Sequence, residues 1–105
     1  MVSGLRVEDR LDGAANYCSW RARIILLLEE NELLEVIKNS PANPIVVPSP
    51  TLDLVAYTAF HKKDVKARRT ILDAVKDHII PHIGQFGRAF EMWEGLFDQN
   101  IPVFI

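Results

Sequence analysis

The sequence predicts an all-α fold, a small bundle of three main helices plus a short helical turn, on three observations. Apolar residues recur at three- and four-residue spacing in two long blocks and one shorter block, the period of a helix with one buried stripe. Four prolines, at 41, 44, 48 and 50, part the first block from the second, because they remove amide donors and favour extended or turn geometry. Ile45, Val46 and Val47 form the one strand-like run, inside that Pro-rich loop, and no second run exists to pair with it.

Residues 2–13 mix glycine, charge and isolated apolar side chains, so they read as an extended lead-in from which Leu5, Val7 and Leu11 can still pack. Tyr17, Trp20, Ile24, Leu27, Leu28, Leu34 and Ile37 then share one stripe, which predicts a first helix over residues 16–38 with Asn16 as its N-cap and Lys38 at its negative end. The second helix carries Leu52, Val55, Ala56, Ala59, Phe60, Ala67, Ile71, Ala74 and Val75 on one side, with Ser49 or Thr51 as cap. Pro81 and Gly84 limit residues 77–83 to a helical turn with Ile79, Ile80 and Ile83 inward. A last helix is expected from near Phe86, burying Phe86, Ala89, Phe90, Trp93, Leu96 and Phe97, and stopped by Asn100 and Pro102. The apolar residues 101–105 are expected either to pack on the bundle or to mark a chain cut from a longer one.

Length and composition narrow the function. A chain of 105 residues supports one core and so a single domain over residues 1–105. Hydrophobic residues at 49% and charged residues at 25% are those of a folding, globular sequence. A net charge of −2 gives the molecule no overall pull toward nucleic acid or acidic lipid. One cysteine, Cys18, forms no internal disulfide and fits a reducing compartment, so a cytoplasmic, intracellular location is expected. No apolar run approaches the roughly 20 residues that span a bilayer, so no membrane partner is expected.

Residues that carry chemistry elsewhere are weak candidates here. His78 and His82 have the four-residue spacing of zinc ligands on a helix, but Pro81 between them spoils the geometry and further ligands are lacking nearby. Cys18 with a histidine is an incomplete nucleophile pair, and a small buried apolar role fits it better. Gly84 and Gly87 lack the preceding strand and following lysine of a phosphate loop. No catalytic residue, metal or cofactor is therefore expected. Lys62, Lys63, Lys66, Arg68 and Arg69 form the one basic cluster and the candidate nucleic-acid contacts. Asp64 and Asp73 dilute it and no aromatic residue interleaves except Phe60, so a solvated helix face fits better than a binding site.

The order of these residues resembles a known pattern. Leu11-Asp12-Gly13, Asn16-Tyr17-Cys18-Ser19-Trp20 and Arg21-Ala22-Arg23-Ile24 are similar to the start of the Gag polypeptide of copia-type LTR retrotransposons, a Leu-x-Gly, Asn-Tyr, Trp series opening a long helix. The likeness continues through Leu33-Leu34-x-x-Ile37, Phe60-x-x-x-Asp64-x-x-Ala67-x-x-x-Ile71-Leu72 and Ala89-Phe90-Glu91-Met92-Trp93-Glu94-x-Leu96, covering residues 11–97. Phe60 stands where the family usually has Trp, and Arg88-Ala89-Phe90-Glu91-Met92-Trp93 replaces its usual Thr-Ala-x-Glu-x-Trp. The resemblance implies a helical, non-enzymatic capsid-like domain that associates with copies of itself around RNA, a homo-oligomer or a binder of another protein. The Cys- and His-bearing knuckle of many full Gag chains is missing from this sequence, so direct RNA binding is not expected of it. The alternatives are a domesticated host protein binding one protein partner, or weak nucleic-acid binding through the basic face of the second helix.

Overall fold

A computed structural model of the chain describes residues 5–96 and contains the helices α1 (Tyr17–Glu30), α2 (Leu54–Asp73), α3 (Ile80–Ile83) and α4 (Ala89–Gly95). Short 3₁₀ turns lie at Val7–Asp9, Ala14–Asn16 and Leu34–Val36. Among the described residues there is no β-strand, and a single parallel bridge joins Leu11 to Val75.

The helix expected over residues 16–38 stops at Glu30. Asn31 turns the chain, its Nδ2 donating to the Leu27 carbonyl at 2.8 Å, and Glu32 takes a left-handed conformation with φ of 58°. Leu33 then donates to the Leu28 carbonyl at 2.8 Å, closing the helix end. The following 3₁₀ turn repeats every three residues, so it sustains the apolar spacing across the break and buries Leu33, Val36 and Ile37. Asn16 stands at the N-cap position of α1, but its side chain does not cap the helix. Its Oδ1 accepts the amides of Asp12 and Gly13 at 3.0 and 3.3 Å, and its Nδ2 donates to the Arg10 carbonyl at 2.8 Å, so it shapes the lead-in loop instead.

Asp53, rather than Ser49 or Thr51, caps α2, accepting the Ala56 amide at 3.1 Å. Ser49 Oγ organises the turn before it, accepting the amides of Thr51 and Leu52 at 3.3 Å each. The inner stripe of α2 runs through Asp64, Ala67 and Ile71, with Phe60 half-buried, whereas Leu52, Val55 and Ala59 point to solvent. The apolar residues of this helix therefore fall on two faces, not on the single side that their spacing predicts. Residues 77–83 behave as expected, with Ile79 and Ile83 buried and Ile80 half-buried. α4 begins three residues later than Phe86, because Arg88 is extended and its amide donates to Glu91 Oε1 at 3.1 Å. Gly95 sits under Phe86, where an added Cβ would lie 2.6 Å from the ring, so a larger residue there requires the ring to shift. Phe97, the proposed stop at Asn100 and Pro102, and residues 101–105 lie outside the described residues.

The core gathers Trp20, Ile24 and Leu28 of α1, Ala67 and Ile71 of α2, and Ala89, Met92, Trp93 and Leu96 at α4. Trp20 and Trp93 stack with ring centroids 5.9 Å apart and planes at 27°. Tyr17, Leu27, Leu34 and Phe60, expected as core, are instead partly buried and pack against it, and Phe90, also expected as core, is only partly buried. Leu11, expected only to be able to pack, is fully buried. Tyr17 lies 6.1 Å from the Trp20 ring, and burial pushes its phenol above the ordinary 10.0, opposed in part by Arg21. The fold favours the neutral phenol, so its contribution is intact below that ordinary value and is lost as pH rises past it. Tyrosinate absorbance during alkaline titration is expected to show a late step that Tyr17→Phe removes.

Candidate interaction surfaces

The most polar buried group is Asp64, fully enclosed in the middle of α2. Its Oδ1 accepts the Ala89 amide at 2.8 Å, at the start of α4, where the helix dipole favours a negative charge. Its Oδ2 lies 3.0 Å from Arg68 Nε and 3.8 Å from an Arg88 guanidinium nitrogen. The Arg68 approach is close enough for ion pairing but is not aligned as a hydrogen bond. Arg88 also rests 5.9 Å from the centre of the Phe60 ring. This carboxylate thus ties α2 to α4, with two cations on one side and a backbone amide on the other. Asp64, expected only as a charge diluting the basic cluster, is instead a buried tie between two helices. Its place one turn after Phe60 and three residues before Ala67, inside the inner stripe, was the signal of its burial.

The polar groups weighed for catalysis or metal binding lie apart. His78 Nε2 sits 2.7 Å from the Asp12 carbonyl and 3.6 Å from Asp12 Oδ1, joining the lead-in loop to the segment after α2. Among the described residues no group of three or more His, Cys, Asp or Glu is placed to hold a metal ion. Cys18 is exposed in the first turn of α1, not a buried apolar residue, because Trp20 and Ile24 define the inner face there.

The five basic residues of α2 do not form one surface. Lys63 Nζ pairs with Glu35 at 2.8 Å, and that hydrogen bond raises the ammonium above its ordinary 10.5. Arg68 turns to Asp64, and Arg69 lies 3.7 Å from Asp73. Lys62 and Lys66 project outward and make no ion pair among the described residues. On the side of Lys62, Leu54 is 63% and Val55 82% exposed, and both join Thr58, Ala59 and Lys62 in a shallow, largely apolar trough. A second amphipathic face lies on α1, where Leu26 is 66% exposed and Glu29 and Glu30 follow at the spacing of one helical turn. The Pro-rich loop is held down by Asn39, whose Oδ1 accepts the Ile45 amide at 2.9 Å and whose Nδ2 donates to Glu94 at 3.1 Å. Leu34 and Phe60 line a depression beneath Ile45 and Val46.

Compared with models of known protein families, with curated proteins and with solved structures, the chain matches none. No helix among the described residues is long and apolar enough to cross a membrane. Fold and surface together define a small helical domain with its buried carboxylate engaged in holding helices and with two amphipathic helix faces turned outward.

Proposed function

We propose that this chain is a non-enzymatic, Gag-like domain of the capsid type carried by copia-type LTR retrotransposons, and that it works by associating with copies of itself. The observation that carries the reading is the outer face of α2, where Leu54 and Val55 stand largely in water. Large apolar side chains side by side on a helix gain free energy when a protein surface covers them. The residues of the resemblance support the same reading, because several are the groups that interlock: Trp20 stacks on Trp93, and Asp64 receives the Ala89 amide. Nucleic-acid binding is supported less, since Lys63, Arg68 and Arg69 each face a carboxylate of this chain.

Static light scattering over a concentration series tests the proposal. The weight-average mass is expected to rise above the 11.9 kDa of one chain as concentration increases. A mass fixed at that of one chain throughout the series overturns it. A monomer that forms a stoichiometric complex with one purified foreign protein favours the domesticated-module alternative.

A further inference from the structure

We infer that the outer face of α2 on one copy receives the outer face of α1 on the next copy, with Leu26 seated near Val55 and Ala59 and with Glu29 and Glu30 meeting Lys62 and Lys66. The inference rests on the self-association reading and assigns its contact. Each face holds an exposed apolar residue followed, toward the helix C-terminus, by a charge that makes no ion pair among the described residues. On α1 the step from Leu26 to Glu29 and Glu30 is three and four residues, and on α2 the step from Ala59 to Lys62 is three. At a rise of about 1.5 Å per residue these steps are about 4.5–6 Å, so Leu26 and its acidic pair come into register with Ala59 and Lys62 when the helices run side by side in the same direction, with Lys66 about one turn further along.

Charge selects the occupant. Lys62, Lys66, Glu29 and Glu30 make no ion pair among the described residues. Covering Leu54 and Val55 brings Lys62 to the rim of the contact, with Lys66 one turn further along, where a partner that supplies carboxylates is favoured over one that does not. A phosphate backbone supplies charge but nothing for the apolar half. Packing α2 on α2 about a two-fold axis would set the lysines of one copy beside the N-terminal, positive end of the other helix. The α1 face carries both the apolar residue and the acidic pair. Because the two faces differ, each copy keeps one of them free after the first contact, and association propagates instead of closing as a dimer. Two short helix faces bury an area at the low end of specific interfaces, below about 1,200 Å² in total, so each contact is weak and salt-sensitive.

The test uses the full chain and charge reversal on exposed positions. Lys62→Glu with Lys66→Glu, and separately Glu29→Lys with Glu30→Lys, are each expected to weaken self-association by about tenfold or more while leaving the circular dichroism of the fold unchanged. Mixing the two variants in equal amounts is expected to restore association, since each then offers the charge the other lacks. Leu26→Asp and Val55→Asp extend the test to topology: each is expected to be impaired alone, and their mixture is expected to stop at a one-to-one complex. Reversed variants that associate as the parent chain does overturn the assignment, as does a mixture that stays monomeric. A parent chain that is itself monomeric overturns the broader reading, so the two failures are distinguishable.

Discussion

Trp20→Ala is expected to remove about 3–5 kcal/mol of stability, a large fraction of the roughly 5–15 kcal/mol available to a domain of this size. The indole is fully buried, stacks on Trp93, and its Nε1 donates to the Ala74 carbonyl at 2.7 Å. The same carbonyl accepts the Leu11 amide at 2.9 Å, so one oxygen holds α1, the lead-in loop and the end of α2 together. Alanine leaves a cavity at that junction. Trp20→Phe keeps most of the apolar volume and removes one of two donors from a carbonyl that stays bonded, so its cost is expected nearer 1–2 kcal/mol, roughly a hydrogen bond plus imperfect packing. Midpoints of urea unfolding for the two variants measure the difference, and a parent-like midpoint for the alanine variant contradicts this view of the core.

Asp64→Ala is the second large effect, expected at about 2–4 kcal/mol. Removing one partner of a buried ion pair commonly costs about 3–5 kcal/mol, because the remaining charge is left uncompensated. Here the side chains of Arg68 and Arg88 stay 31% and 28% exposed, and water offsets part of that penalty. Alanine also orphans the Ala89 amide at the start of α4. Asp64→Asn keeps an oxygen for that amide but turns it neutral beneath two guanidinium groups, so its effect is expected to be smaller than that of alanine. Unfolding midpoints with unchanged slope report the two losses, and an alanine variant as stable as the parent would remove Asp64 from the role of tie between α2 and α4.

The parts of this fold legible in the sequence are those where burial and helical period coincide. Trp20, Ile24 and Leu28, then Ala67 and Ile71, then Trp93 and Leu96, each stand on the inward stripe that their spacing implies. The end of α1 was hidden because Leu33, Val36 and Ile37 prolong the apolar rhythm through a turn whose defining feature is the backbone angle at Glu32. Nothing about a glutamate marks a left-handed position. The outward apolar face of α2 was merged with its inner stripe, since Val55 and Phe60 both read as apolar while the roughly 100° per residue of a helix places them apart. Asp64 is hard to place from sequence because charge is a prior for exposure; its position in the inner stripe and Arg68 one turn on are local signals against that prior, but Arg88 and the Ala89 amide come from a distant segment.

The most direct test of the account, in which buried groups hold the fold and the outer faces of α1 and α2 join copies, is a dilution series of two-dimensional amide NMR spectra on the isotope-labelled chain. Amides of Val55, Ala59, Lys62, Leu26 and Glu30 are expected to shift with concentration, while the Trp20 indole and the Ala89 amide stay fixed. Spectra that superimpose at every concentration, or shifts concentrated at Trp20 and Ala89 instead of the two helix faces, would contradict it.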